Sequence, residues 1–262
     1  MTRSNVITSN LGRHVFGAAA IAFGLVALFR HNFDDWQQLQ SLLKSPAGLA
    51  AVYATAVLEI TGGLAIQWRR MSRWGAGMLG VVHVFFACRW IPVIAADPSI
   101  YDSWGNLGEE TSLITGALFV FAAASPDAPW VAKAYKLGHY MFGLCVVSFT
   151  IGQIVYLRGV ASFTPQWLPP GPMFWAMFTT VAMGAAAIAI FTGYQSLLAS
   201  RLLTLMFAIF GILVWLLRLI HDPANDQNWG GNAENTLLTG AAWIYADYLG
   251  RAWKSGAPPP RF

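Results

Sequence analysis

Eight apolar runs of roughly 17 to 22 residues divide this chain, near positions 13–30, 48–67, 75–96, 108–125, 135–157, 173–193, 200–220 and 232–250. Each is long enough to cross a hydrocarbon core of ~30 Å as a helix. Helix is also the economical choice, because lipid gives an open backbone no hydrogen-bond partner. With 56% hydrophobic and only 11% charged residues, the chain is best solvated by lipid. The expected fold class is therefore an all-α integral membrane protein with eight transmembrane helices. The polar lead MTRSNVITSNLGRH runs into a span-length helix whose exit, LFRHNFDDW, lacks a small-residue cleavage site, so the first run reads as a retained helix.

Eight crossings put both termini on one face. Eleven Lys and Arg fall on that face and three, Arg30, Lys44 and Arg158, on the other, while Arg89 and Arg218 lie within helices. The positive-inside rule then predicts cytoplasmic termini. The net charge of +4 is this topology signal and not a nucleic-acid surface. Cys88 and Cys145 sit in different apolar runs without a CxxC spacing and read as small hydrophobes.

One acidic, tryptophan-bearing stretch is written twice. DPSIYDSWGNLGEETSLITGA begins at Asp97 and DPANDQNWGGNAENTLLTGA at Asp222. Asp97, Pro98, Trp104, Glu110, Thr115 and Gly116 answer Asp222, Pro223, Trp229, Glu234, Thr239 and Gly240. LGRHVFG at Leu11 likewise answers LGHYMFG at Leu137, and Pro46 answers Pro170 or Pro172. The chain thus divides into four-helix repeats over 1–126 and 127–262, joined by AAASPDAPWVAK. An even number of helices per repeat makes the two parallel in orientation, related by an axis along the membrane normal.

The repeated stretch links the third and fourth helices of each half on the outer face. There Trp104 and Trp229 suit the headgroup level, ring in lipid and indole N–H in water. Asn106 with Glu109 matches a capping box, and Glu110 and Glu234 are expected in first turns, where the helix dipole favours anions. Ser112 with Gly116 and Thr236 with Gly240 form small-residue pairs suited to a packing seam.

Two groups of polar residues fall where lipid tolerates few charges. Arg89 and Arg218 must snorkel, pair with an acid or face a polar cavity. With Glu110, Glu234, Trp104 and Trp229, Arg218 marks an outer-face polar site, readable as structural ion pairs or as a pocket for an anion or a quinone carbonyl. Glu59 and His83 lie at nearly one depth on helices running in opposite directions, with Arg89 about a turn and a half from His83. They read either as a proton-handling cluster or as a neutral glutamate pinning two helices, with Arg89 a competitor for Glu59. The five histidines are spread over different depths, so no bis-histidine haem site is expected. No metal-ligand spacing, phosphate loop or nucleophile elbow occurs, and no catalytic or metal-binding residue is assigned.

The four-helix half, with LEITGGLAI in its second helix, QWLPPGPMFW before the corresponding helix of the second half, and WGN followed by TGA at the fourth, resembles the DoxX-like family of small bacterial membrane proteins. The chain looks like two such units in tandem, although the glutamate of LEITGG has no counterpart in TTVAMGAAAIAI. Some members of that family are membrane subunits of quinone-linked oxidoreductases, including thiosulfate:quinone oxidoreductase. The resemblance therefore implies a bacterial inner-membrane, quinone-interacting subunit of a redox system, with no covalently bound cofactor and a partner polypeptide carrying the electrons. Two other classes remain open on the residues: a small-solute or anion transporter at the repeat interface, and a non-catalytic membrane scaffold for a partner complex.

Overall fold

The computed structural model describes residues 9–30 and 43–256. His31 and the exit of the first run lie outside the described residues, as do the terminal arginines Arg3 and Arg261. Every regular element among the described residues is helical: α1 (Leu11–Arg30), α2 (Pro46–Ala65), α3 (Ser72–Ala96), α4 (Tyr101–Ala123), α5 (Val131–Val155), α6 (Leu157–Phe163), α7 (Pro172–Thr192), α8 (Ser196–Phe210), α9 (Leu217–His221) and α10 (Asp226–Ser255). A π-helical segment, Gly211–Leu216, joins α8 to α9 without a break, so Ser196–His221 is one rod.

Six helical stretches are long and apolar enough to cross a membrane: Leu11–Phe29, Pro46–Ala65, Ser72–Ala96, Val131–Val155, Pro172–Thr192 and Ser196–His221. The two remaining long helices, α4 and α10, are more polar. Their position explains why: contacts run in a ring from α1 through α2, α3, α4, α5, α7, α8 and α10 back to α1, and α4 and α10 also meet across it. A helix enclosed by other helices needs no apolar outer face. The ring is thereby split into two compartments, one walled by α1, α2, α3, α4 and α10, the other by α4, α5, α7, α8 and α10.

The repeated sequence segments make corresponding contacts. A Cβ on Gly12 of α1 would lie 2.9 Å from Cβ of Trp243 in α10, and one on Gly138 of α5 would lie 3.0 Å from the Phe119 ring in α4. The Thr-Gly-Ala seam is equally close. A Cβ on Gly240 would come within 2.6 Å of the Phe16 amide nitrogen, and one on Gly116 within 2.9 Å of Cβ of Ala241. These approaches bring backbones together where apolar lipid provides no hydrophobic drive for association. At the opposite end from the Asp-Pro turns, the buried Tyr245 hydroxyl and His139 Nδ1 are 2.8 Å apart, and Phe142 stacks on the Tyr245 ring at 4.5 Å.

The two copies differ by one residue inside the wall. Ser72 and Ser196, which open α3 and α8, are 124 positions apart, whereas Asp97 and Asp222, which end the two rods, are 125 apart. The extra residue falls across the π-helical segment, whose wider turn leaves carbonyls without their usual α-helical donors. Asn235 of α10 meets that need by donating Nδ2–H to the Phe207 carbonyl at 2.9 Å, and Asn232 reaches the Gly211 carbonyl at 3.5 Å.

Candidate functional site

Glu59 and His83 do come together. Glu59 lies on α2 and His83 on α3, both fully buried, with Glu59 Oε1 3.4 Å from His83 Nε2. Close packing holds the glutamate there. Gly24 of α1 brings its backbone so near that an added Cβ would lie 2.6 Å from the Ala56 carbonyl and 3.0 Å from Cβ of Glu59. The imidazole is walled by Phe16 and Phe86, with ring centroids 6.5 and 6.0 Å away.

The other face of the imidazole belongs to α4. Glu110 Oε2 lies 2.9 Å from His83 Nδ1, a hydrogen bond whose donor is set by the tautomer. Three helices thus converge on one acid–imidazole–acid chain, Glu59–His83–Glu110, inside the first compartment. His83 and Glu110 both act electrostatically on Glu59. Arg89 is half-buried farther along α3. Neither Glu59 oxygen makes a hydrogen bond among the described residues.

Glu110 reaches this place because α4 starts earlier than the apolar run that announced it. The helix opens at Tyr101, its first-turn acid is Asp102, and Glu110 is two turns deeper. Asn106 is correspondingly inside α4 and caps nothing; its Nδ2 donates to the Asp102 carbonyl at 2.9 Å. In α10 the N-cap is Asn225, whose side chain accepts from the Gln227 N–H, and Glu234 is likewise beyond the first turn.

Trp104 and Trp229 keep their rings partly exposed, but their indole N–H groups bond within the protein. Trp104 Nε1 donates to the Pro98 carbonyl at 3.1 Å and Trp229 Nε1 to the Pro223 carbonyl at 3.0 Å. Each tryptophan closes its own Asp-Pro turn. Beside the first, Ser99 donates its hydroxyl to Asp97 at 2.6 Å and its backbone N–H at 3.1 Å, bonds that hold the Asp97 carboxyl below its usual range. The expected outer-face cluster is not assembled around Arg218. That guanidinium stacks on Phe163 of α6 at 4.4 Å and lies 5.9 Å from the Trp215 ring. Glu234 is instead half-buried near α4, where its charge acts on Glu109.

Among the described residues the second compartment has no such chain. Matching buried positions, Glu59 corresponds to Met183 on α7 and His83 to Phe207 on α8, all buried. Counting back from Thr-Gly-Ala pairs Glu110 with Glu234, but counting on from the tryptophan pairs it with Asn235. Burial and partner favour Asn235, which faces Phe207 as Glu110 faces His83. Sequence reasoning missed Asn235 and the role of Glu110 for one reason: hydropathy locates an enclosed polar helix poorly.

Cys88 and Cys145 are free, and among the described residues no group of histidine, cysteine and carboxylate side chains is arranged to hold a metal ion. Compared with known proteins, the chain matches no family model, no curated protein and no solved structure.

Proposed function

We propose that the chain is a membrane-embedded, quinone-interacting subunit of a redox system, in which Glu59, His83 and Glu110 handle protons and a partner polypeptide supplies electrons. One observation carries it: an imidazole held between two buried carboxylates, 2.9 and 3.4 Å from its nitrogens. Reducing a quinone carbonyl to a hydroxyl requires a proton delivered at membrane depth. An imidazole accepts at one nitrogen and releases at the other, so a flanked histidine can relay a proton between acids. Ionisable residues inside a bilayer bundle are by default functional, because lipid penalises each of them.

The architecture proposed with it has all eight long helices crossing a bacterial inner membrane, α4 and α10 sheltered by the other six, and both termini in the cytoplasm. The halves 1–126 and 127–262 are two DoxX-like units of the same orientation. Among the described residues only the first carries the acid–imidazole–acid chain, since Met183 and Phe207 stand where Glu59 and His83 do. That asymmetry disfavours a solute pathway built equally from both units. Arg89, with Trp104 near the Asp-Pro turn, lies on the side from which a quinone headgroup would approach.

The test is purification with native lipid, followed by extraction and identification of bound quinone, together with respiration measured for Glu59→Gln and His83→Gln. Retained quinone and a quinone-reduction rate lowered at least tenfold support the proposal. Absence of quinone, with wild-type respiration in both variants on sulfur and organic donors, overturns it.

A further inference from the structure

The line of polar side chains on α4 gives the buried chain a direction. Asp102 is exposed in the first turn, at the end of the bundle that carries the Asp-Pro turns. Asn106, one turn deeper, donates Nδ2–H to Asp102 Oδ2 at 3.3 Å. Glu109 lies almost a turn deeper again, half-buried, with the charges of Glu234, Glu110 and Asp102 acting on it. Positions 102, 106 and 109 share one helix face. Glu110 follows and touches His83, which faces Glu59. From Asp102 to Glu110 the helix descends about 12 Å at the standard rise per residue.

The opposite direction is apolar and offers no acid or imidazole near the triad among the described residues. Between the triad and the other end of the bundle, α4 carries no titratable side chain from Thr111 to Ala123, α3 none from Trp74 to Val82, α2 none from Ile60 to Trp68, and α10 none from Asn235 to Ile244, where the Tyr245 hydroxyl pairs with His139 Nδ1 at 2.8 Å. On α1 the next such group is His14, bonded to Gln67 at 2.7 Å. Phe16, Ile66 and Leu79, all fully buried, belong to one hydrophobic core. Glu59 therefore sits at the closed end of the line, its carboxylate without a hydrogen bond among the described residues.

We infer that protons reach the Glu59–His83–Glu110 chain from the Asp-Pro-turn end of the bundle only, along α4 through Asp102 and Glu109. This rests on the proton handling proposed above and adds its sidedness and two further residues. The balance is simple: Glu109 passes a proton to Glu110, Glu110 to His83 Nδ1, and His83 gives one from Nε2 to Glu59. No electron moves on this chain. Glu234, supplied by α10, shares the entrance with Glu109, so both halves contribute to it.

The experiment uses full-length protein in phosphatidylcholine and phosphatidylglycerol vesicles, sorted to one orientation by a terminal affinity tag. The pH is changed on one side while the infrared carboxyl bands, assigned with Glu59→Gln and Glu110→Gln, are followed in time. The bands should follow the pH on the Asp-Pro-turn side alone. Glu109→Gln should slow the response at least tenfold with the final band positions unchanged, which a merely structural role would not do. Asp102→Asn, at an exposed site, should slow it severalfold with folding intact. Response to the opposite side, or a wild-type rate in both variants, overturns the inference while leaving proton handling standing. If neither carboxyl band responds to pH on either side, the proton-handling reading itself fails.

Discussion

His83 Nδ1 and Glu110 Oε2 are 2.9 Å apart with both side chains withdrawn from solvent, tying α3 to α4 at the level where α2 offers Glu59. The bond survives either placement of its proton: a neutral imidazole donates to a carboxylate, and a protonated Glu110 donates to the imidazole. The contact is therefore structural as well as chemical, and the two roles separate by substitution. Glu110→Gln keeps a hydrogen bond and should cost about 1 kcal/mol, whereas Glu110→Leu leaves a buried ring nitrogen unsatisfied and should cost about 1–3 kcal/mol more. Unfolding in mixed detergent micelles, titrated with dodecyl sulfate, measures both.

Asn235 replaces an acid with an amide and serves the backbone instead. Its Nδ2 bond to the Phe207 carbonyl supports the entry to the π-helical segment. Asn235→Leu should cost about 1–3 kcal/mol by stranding that carbonyl. Hydrogen exchange should then accelerate in residues 211–216 and not in α2. Unchanged exchange there would show that the π turn holds without the amide.

The close approach at Gly240 admits no side chain beside the Phe16 backbone, whereas a Cβ on Gly105 would meet nothing within 4 Å. Gly240→Val should lower stability by about 1–3 kcal/mol or prevent folding, through overpacking of α1 on α10. Gly105→Ala, inside helix α4, should raise it by about 0.5–1 kcal/mol. Thermal unfolding of the pair in one detergent checks the contrast.

Trp104 and Trp229 each hold a proline carbonyl six positions back. Replacing either with Phe removes one hydrogen bond and should cost about 0.5–1.5 kcal/mol. The two variants should behave alike, with faster amide exchange confined to the turn concerned. A large loss from one alone would mean that the turns carry different loads.

Asp97 titrates in the open, below the ordinary carboxylate range, because Ser99 hydrogen-bonds its charged form. A depressed folded-state value makes the contribution fully present above the unfolded pKa of about 3.9 and lost as pH falls through the folded one. Carboxyl carbon shifts of Asp97 in detergent should show a midpoint under that value. Ser99→Ala should bring it back up. An Asp97 midpoint unaffected by that change would remove Ser99 as the cause.

The meeting of Glu59 and His83 was legible because depth can be counted along two apolar helices that run in opposite senses. Glu110 lies deeper than the apolar run near 108 implies, because the helix begins at Tyr101 with polar turns that hydropathy ignores. Arg218 was drawn toward Glu234 on charge alone. Its actual neighbour, Phe163, lies on the short α6, which no apolar run announced. The tryptophans fall at the expected turns, and the bond each makes follows the Pro-to-Trp spacing of six that the repeat writes twice and that Pro169 and Trp175 share.

The π-helical segment bears on any residue-by-residue comparison of the two copies. One added residue in an ordinary α-helix rotates all that follows by about 100°. Here the widened turn swallows the insertion, and α10, with one residue fewer between Trp229 and Thr239 than separates Trp104 from Thr115, restores the phase. Superimposing the halves without a gap across 211–216 therefore swings every later residue of the rod, Arg218 among them, round the helix axis, a rotation absorbed in a single loosened turn.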